Sequence, residues 1–262
     1  MLNRNSPCEK ELQKLEKQEL KFLNKYKEET DGKINQLLKD KVPDKLQATL
    51  DGAFAKAFSL VFQKGTGIIE KTYSKEQLEK DFQVNEFAAE CKNTVREWRT
   101  FSKQSRLSAN KNLLISGVSG IGLGVLGIGL PDIALFTGLQ LRSIYEIALQ
   151  YGFSYEEEKE RCFILLLIRA ALSNGEVQKE LDQEINDFID SGDFANQKEL
   201  DSYIREAAAC MSKELLYAKF LQGIPLIGVV GGAFDAIYMR RINKYAELKY
   251  RRRFLLSKKK SP

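Results

Sequence analysis

Apolar residues recur along this 262-residue chain at intervals of three and four, the period of an amphipathic α-helix, and no stretch alternates convincingly as a strand. Residues 9–28 place Leu12, Leu15, Phe22, Leu23 and Tyr26 on one side of a highly charged segment. Residues 1–40 therefore read as a charged helical arm at the surface or in a coiled-coil-like contact. Pro43 suits the first turn of a helix, and Leu46, Leu50, Ala53, Phe54, Ala57 and Val61 keep one face after it until Gly65 ends the run. Ser74, with Gln77 three residues on, predicts an N-cap of capping-box type for the next helix. Its apolar stripe is expected to run through Val84, Phe87, Ala88, Cys91, Val95 and Trp98.

Leu141, Ile144, Tyr145 and Ala148 mark a further helix that Gly152 stops. Ser154 is expected to cap the following one, Glu156, Glu157 and Glu158 to favour its positive end, and Asn174 with Gly175 to close it. Three consecutive glutamates on a helix point about 100° apart, which does not suit a shared metal ion. Two more helices are expected over 176–190 and 195–221, the second with Leu200, Tyr203, Ile204, Ala207, Met211, Leu215 and Ala218 in register. The fold class is thus all-α, a multi-helix bundle.

Two Gly-rich apolar segments interrupt this pattern, "GVSGIGLGVLGIGL" at 117–130 and "GIPLIGVVGGAFDAIY" at 223–238. Gly122, Gly124 and Gly127 formally satisfy a dinucleotide-binding loop, but such a loop needs a strand before it and a second strand after its helix, and neither is present. Gly117, Gly120, Gly124 and Gly127 are spaced three, four and three, so they form a stripe on one helix, and Gly228 with Gly232 forms a second pair. Each costs about 1 kcal/mol of helix propensity, which a close-packed neighbouring helix must offset. Asp132 and Asp235 are the single formal charges of 112–141 and 220–239. The plain reading makes Asp132 a helix-start residue and pairs Asp235 with an arginine; the sharper one makes them a buried carboxylate pair. Both runs are long enough to span a bilayer or form a re-entrant hairpin, and their basic flanks fit two spans. Pro131 and the aspartates favour a soluble or peripheral bundle over spans.

With no histidine, His-based triads, His-ligated zinc and imidazole pH sensing are excluded, and the sequence implies neither a metal nor a cofactor. Cys8, Cys91, Cys162 and Cys210 are widely spaced and read as reduced thiols of a cytoplasmic protein. The N-terminus has no apolar signal region. The net charge of +5 is uneven: from Arg240 on, ten basic residues face one acidic residue, +9 against −4 for residues 1–239. Residues 254–262 therefore read as a basic tail. Arg251, Arg252, Arg253, Lys258, Lys259 and Lys260 are the candidates for attraction to an anionic membrane surface, with nucleic acid the less suitable partner.

The order "KVPDKL", a Gly-rich run ending "GLPD", "IYEIALQYGFSYEEEKERCFILLLI", and "GIPLIGVVGGAFDAIY" before basic residues resembles the EcsC protein family of bacteria over about residues 42–253. The resemblance implies an all-helical domain (41–253) with no agreed catalytic residues. Its name, from a protein encoded beside components of an ABC transporter, implies work near the membrane and a membrane-protein partner such as that transporter. The family pattern often has an amide where Asp235 stands. These readings lead to a non-enzymatic accessory or interaction protein at the cytoplasmic face of the membrane; the alternative is a hydrolase or lipid-processing enzyme using Asp132 and Asp235.

Overall fold

The computed structural model describes residues 6–26, 42–65, 69–71, 73–101, 131–196, 198–221 and 233–260. Among them all regular structure is helical. The elements are α1 (Pro7–Lys25), α2 (Asp44–Leu60, running on into one π turn at Val61–Gly65), α3 (Lys75–Lys92), α4 (Pro131–Gln150), α5 (Glu158–Leu172), α6 (Gly175–Ser191), α7 (Leu200–Leu221) and α8 (Ala233–Lys260). Residues 95–101 add a short helix after α3.

The centre is α5, because its sequence is apolar on every side. Phe163, Leu166, Leu167, Ala170 and Ala171 are all buried, and α7, α6 and α8 pack around it. A helix apolar all round has no solvent face and must be enclosed. The second axis is α8, which touches α1, α4, α5 and α6, while α2 bridges α4 and α7, and α3 lies on α4.

Helix α4 runs parallel to α8 in a fixed register. Gln140 Nε2 donates to Asn243 Oδ1 at 2.9 Å, and the rings of Tyr151 and Phe254 lie 6.1 Å apart. Both pairs are offset by the same 103 positions. The first turns of α4 and α8 therefore lie at the same end of the bundle, and each follows a Gly-rich apolar run of the sequence.

Local caps explain several boundaries. Ser6 Oγ accepts from Glu9 N while Glu9 accepts from Ser6 N, a reciprocal capping box that starts α1. Ser74 accepts from Gln77 N, as its spacing predicts. Pro43 is the N-cap of α2, one residue ahead of the first turn. Gly152 ends the α4 turn at φ +80°, and a Cβ built there would stand 2.5 Å from Phe82 Cζ, so both conformation and closeness require glycine.

Three expectations are corrected. Ser154 does not cap α5: it accepts from Glu156 N in the turn before, and α5 begins at Glu158 behind the N-cap Glu157. Asn174 and Gly175 open α6 rather than close α5, because Ser173 is the C-cap and the Asn174 carboxamide is engaged by Arg241. The expected stripe of α3 is not a buried face. Val84 and Phe87 are 67% and 68% exposed, and the buried residues are Leu78 and Ala89. Asn93 breaks the helix in the left-handed region, so Val95 and Trp98 belong to the next helix and the phase between them and Val84 is lost. Helix α8 continues unbroken to Lys260, and α1 packs along it.

Candidate functional site

The densest chemistry in the described residues lies where α8 meets α1, α5 and α6. Four cations within little more than one turn of α8, Lys249, Arg251, Arg252 and Arg253, each meet a carboxylate from another helix. Lys249, with a side chain 0% exposed, stands 2.8 Å from Asp182 of α6 and 3.3 Å from Glu19 of α1, and donates to Asn186 Oδ1 at 2.9 Å. Arg251 reaches Glu11 at 2.7 Å, Arg252 reaches Glu19 at 2.8 Å, and Arg253 reaches Glu160 of α5 at 2.7 Å. Phenols complete the set: Tyr245 donates to Asp182 at 2.6 Å and Tyr250 to Glu160 at 2.7 Å.

Position along each helix produces this arrangement. Glu11 and Glu19 lie on the same face of α1 as the buried Leu12, Leu15 and Phe22, so packing of that apolar stripe carries both carboxylates inward. Removing such charges from water costs several kcal/mol per ion, and only close partners offset it. Burial pushes the Tyr245 and Tyr250 phenols well above their ordinary range, and the adjoining carboxylates Asp182 and Glu160 add to the shift. Every phenol here is thus a donor, held protonated.

Arg241 closes the start of the same seam. It donates to Ser173 O at 2.7 Å and Asn174 Oδ1 at 3.0 Å, and its guanidinium lies 3.7 Å from the Tyr26 ring centre. Burial lowers its pKa, although Glu214 opposes this. Gly175, at φ +61°, donates its N–H to Tyr26 O, tying the end of α1 to the α5–α6 turn.

A second cluster lies between α3, α4 and the start of α5. Tyr73 donates to Tyr155 at 2.7 Å, Tyr155 donates to Glu70 at 2.8 Å, and Tyr145 stacks on Tyr155 with centroids 4.0 Å apart. Burial raises all three phenols, and Glu70 accepting from Tyr155 raises that one further. Glu156, one of the three dipole-facing glutamates, pairs with Lys75, which holds its carboxyl below the usual range. On α7, Ser212 donates to Asp51 of α2, and Gln47 bonds both. In a chain without histidine this Ser–Asp contact has no imidazole to act as base, and it serves to join two helices.

The candidates from sequence are placed as follows. Arg251, Arg252 and Arg253 face inward on the carboxylates just described. Lys258 pairs with Glu86 and with Glu90 at 2.7 Å, and Lys259 stands 3.6 Å from Glu9. Although burial pulls Lys258 down, Glu86 and Glu90 together raise its pKa. Arg251, Arg252, Arg253, Lys258 and Lys259 thus each have a carboxylate partner among the described residues. Gly117, Gly120, Gly124, Gly127, Gly228 and Gly232 lie outside the described residues, as do the side chains of Asp132, Asp235 and Lys260. Glu11, Glu19, Asp182 and Glu160 were missed by sequence reasoning; the signal was a glutamate at an inward position of an otherwise apolar stripe. A shallow concavity is lined by Val95, Arg96, Arg99 and Thr100. Among the described residues no three His, Cys, Asp or Glu side chains could hold a metal ion, and no helix is long and apolar enough to cross a membrane.

An all-α bundle held along one helix by buried ion pairs is the class that fold and seam define. The model of the EcsC protein family matches residues 8–255, and the chain belongs to that family. The match begins well before residue 42 and takes in α1. It is similar to the uncharacterised protein YdbA of Bacillus subtilis (strain 168), 25% identical over 146 residues, 55% of this chain and 54% of that protein. It is also similar to protein EcsC of the same organism, 26% identical over 88 residues, 34% of this chain and 37% of that one. The chain thus spans about half or less of the curated relatives it matches. No solved structure matches.

Proposed function

We propose that this EcsC-family chain is a non-enzymatic accessory or interaction protein that works at the cytoplasmic face of the membrane and is held there peripherally. The observation that carries the reading is the parallel register of α4 and α8. It brings the first turns of α4 and α8, each preceded in the sequence by an apolar, Gly-rich run, to one end of the bundle. The ion-pair seam supports the non-enzymatic part, because its carboxylates are engaged by cations and phenols rather than aimed at a cavity. Fractionation of a bacterial host expressing the full chain tests the reading. The protein is expected in the membrane pellet at low salt and in the supernatant after a high-salt wash; recovery in the soluble fraction at low salt overturns it.

One observation favours a second reading, a hydrolase or lipid-processing enzyme. Asp132 and Asp235 also differ by 103 positions, so they occupy equivalent places in the first turns of the two parallel helices. Substituting both by asparagine and assaying lipid-ester hydrolysis separates the readings: activity that the wild type has and the double variant lacks supports the enzyme.

A further inference from the structure

We propose that the outward face of α1 is the surface through which this chain docks on an anionic phospholipid bilayer. This inference rests on the membrane-face reading above and moves the contact from the C-terminal cluster to the N-terminal helix. Lys10, Lys14, Lys17, Lys21 and Lys25 are all exposed, and their spacings of four, three, four and four put them on one stripe of α1. The acids of the helix do not neutralise it. Glu11 and Glu19 are turned inward onto Arg251, Arg252 and Lys249, and Glu9 is engaged by the N-cap backbone and Lys259. Among the described residues, Lys10, Lys17 and Lys21 have no carboxylate at ion-pair distance, and Lys14 has only Glu11 at 4.0 Å. Glu16 is the one acidic residue of α1 on the exposed side.

Folding thus sorts the charges of α1, sending negative charge into the seam and positive charge to water. Arg99 widens the stripe, since it is 60% exposed and holds Glu11 at 2.9 Å from the neighbouring helix. The stripe also approaches the end of the bundle where α4 and α8 begin. Tyr26, one residue past α1, packs on Arg241, which lies eight residues into α8, roughly 12 Å of helix from its start.

The chemistry of the face selects a lipid surface over nucleic acid. The five stripe cations are lysines, point charges that need no particular geometry, rather than arginines with a planar fork for phosphates and base edges. Leu20 is 58% exposed between Lys17 and Lys21, an apolar side chain placed to enter the headgroup layer. The aromatic ring beside the stripe, Tyr26 next to Lys25, is already covered by Arg241 at 3.7 Å and packed against Phe22.

Flotation of the full chain with phosphatidylcholine vesicles, with and without phosphatidylglycerol, tests the proposal. Binding is expected only with phosphatidylglycerol present and should weaken as salt is raised. Each stripe lysine is expected to contribute about fivefold to the partition coefficient. The triple variant Lys14→Gln, Lys17→Gln, Lys21→Gln should therefore lose on the order of 100-fold. The control Lys258→Gln, Lys260→Gln should lose no more than a few-fold, and circular dichroism melts should match the wild type, since the substituted lysines of α1 are exposed. A triple variant that floats like the wild type sinks this inference while leaving the membrane reading standing. A wild type that ignores anionic vesicles at low salt sinks both, and stripe-dependent binding to duplex DNA or RNA without vesicle binding replaces the lipid by nucleic acid.

Discussion

Glu11 and Arg251, 240 positions apart in the chain, meet at 2.7 Å with side chains 1% and 3% exposed. Breaking such a pair from one side leaves the other ion buried and uncompensated, at a cost of about 3–5 kcal/mol. Glu11→Ala is expected to lower the unfolding free energy measured in urea by that amount. Glu11→Leu combined with Arg251→Met should recover most of the loss, because two packed apolar side chains leave no charge behind. Equal destabilisation of the double variant would refute the account.

Lys249 separates Glu19 from Asp182. Lys249→Ala is expected to cost more than Lys249→Ala in an Asp182→Asn background, since the first change leaves two carboxylates facing each other without a cation. A double-mutant cycle in urea measures the coupling, expected to be on the order of 1–3 kcal/mol; additive losses would contradict the shared contact.

The tyrosines predict an alkaline limit to stability. Tyr73, Tyr145, Tyr155, Tyr245 and Tyr250 all have folded pKa values above the ordinary one, mainly through burial. In the unfolded chain a phenol loses its proton near pH ~10, so their contribution is complete below that pH and is lost as pH rises through it towards the folded values. Tyrosinate absorbance of these residues should appear together with unfolding. A gradual rise in the folded state would show them solvated.

Thiol reactivity should follow exposure. Cys91 is exposed, whereas Cys162 is buried and its thiol is pushed up to about 11 by burial first and Glu158 second. Maleimide labelling of the native protein followed by peptide mass spectrometry is expected to find Cys91 modified first and Cys162 only after denaturation.

Gly152→Ala is expected to cost about 1–3 kcal/mol, because alanine resists φ +80° and its methyl group would enter the space of the Phe82 ring. A thermal melt checks it, and Phe82→Leu in the same chain should return part of the loss by clearing the ring.

The helices were legible in the sequence because burial of one face repeats with the helical period, as Tyr203, Ile204, Ala207, Met211 and Leu215 of α7 illustrate. Where periodicity failed, at α3, a single left-handed residue, Asn93, shifted the phase, and residue type alone does not announce that turn. The burial of Lys249, Arg251, Arg252 and Arg253 was not legible because their carboxylate partners come from segments far away in sequence. Charge pairing across 60 to 240 positions leaves no local pattern. The lysines of α1 were visible as charge, but their meaning depended on knowing that Glu11 and Glu19 point the other way.

The seam on α8 also has a consequence in time. Glu11 and Glu19 are made well before Arg251 and Arg252, which follow 240 and 233 positions later. At roughly 5–20 residues per second the interval is on the order of 10–50 s. Through it the inward face of α1 displays two carboxylates beside Leu12, Leu15 and Phe22 without these two arginines. Helix α1 is thus among the last to dock, and its closure onto α8 waits until Arg251 and Arg252 have left the ribosome.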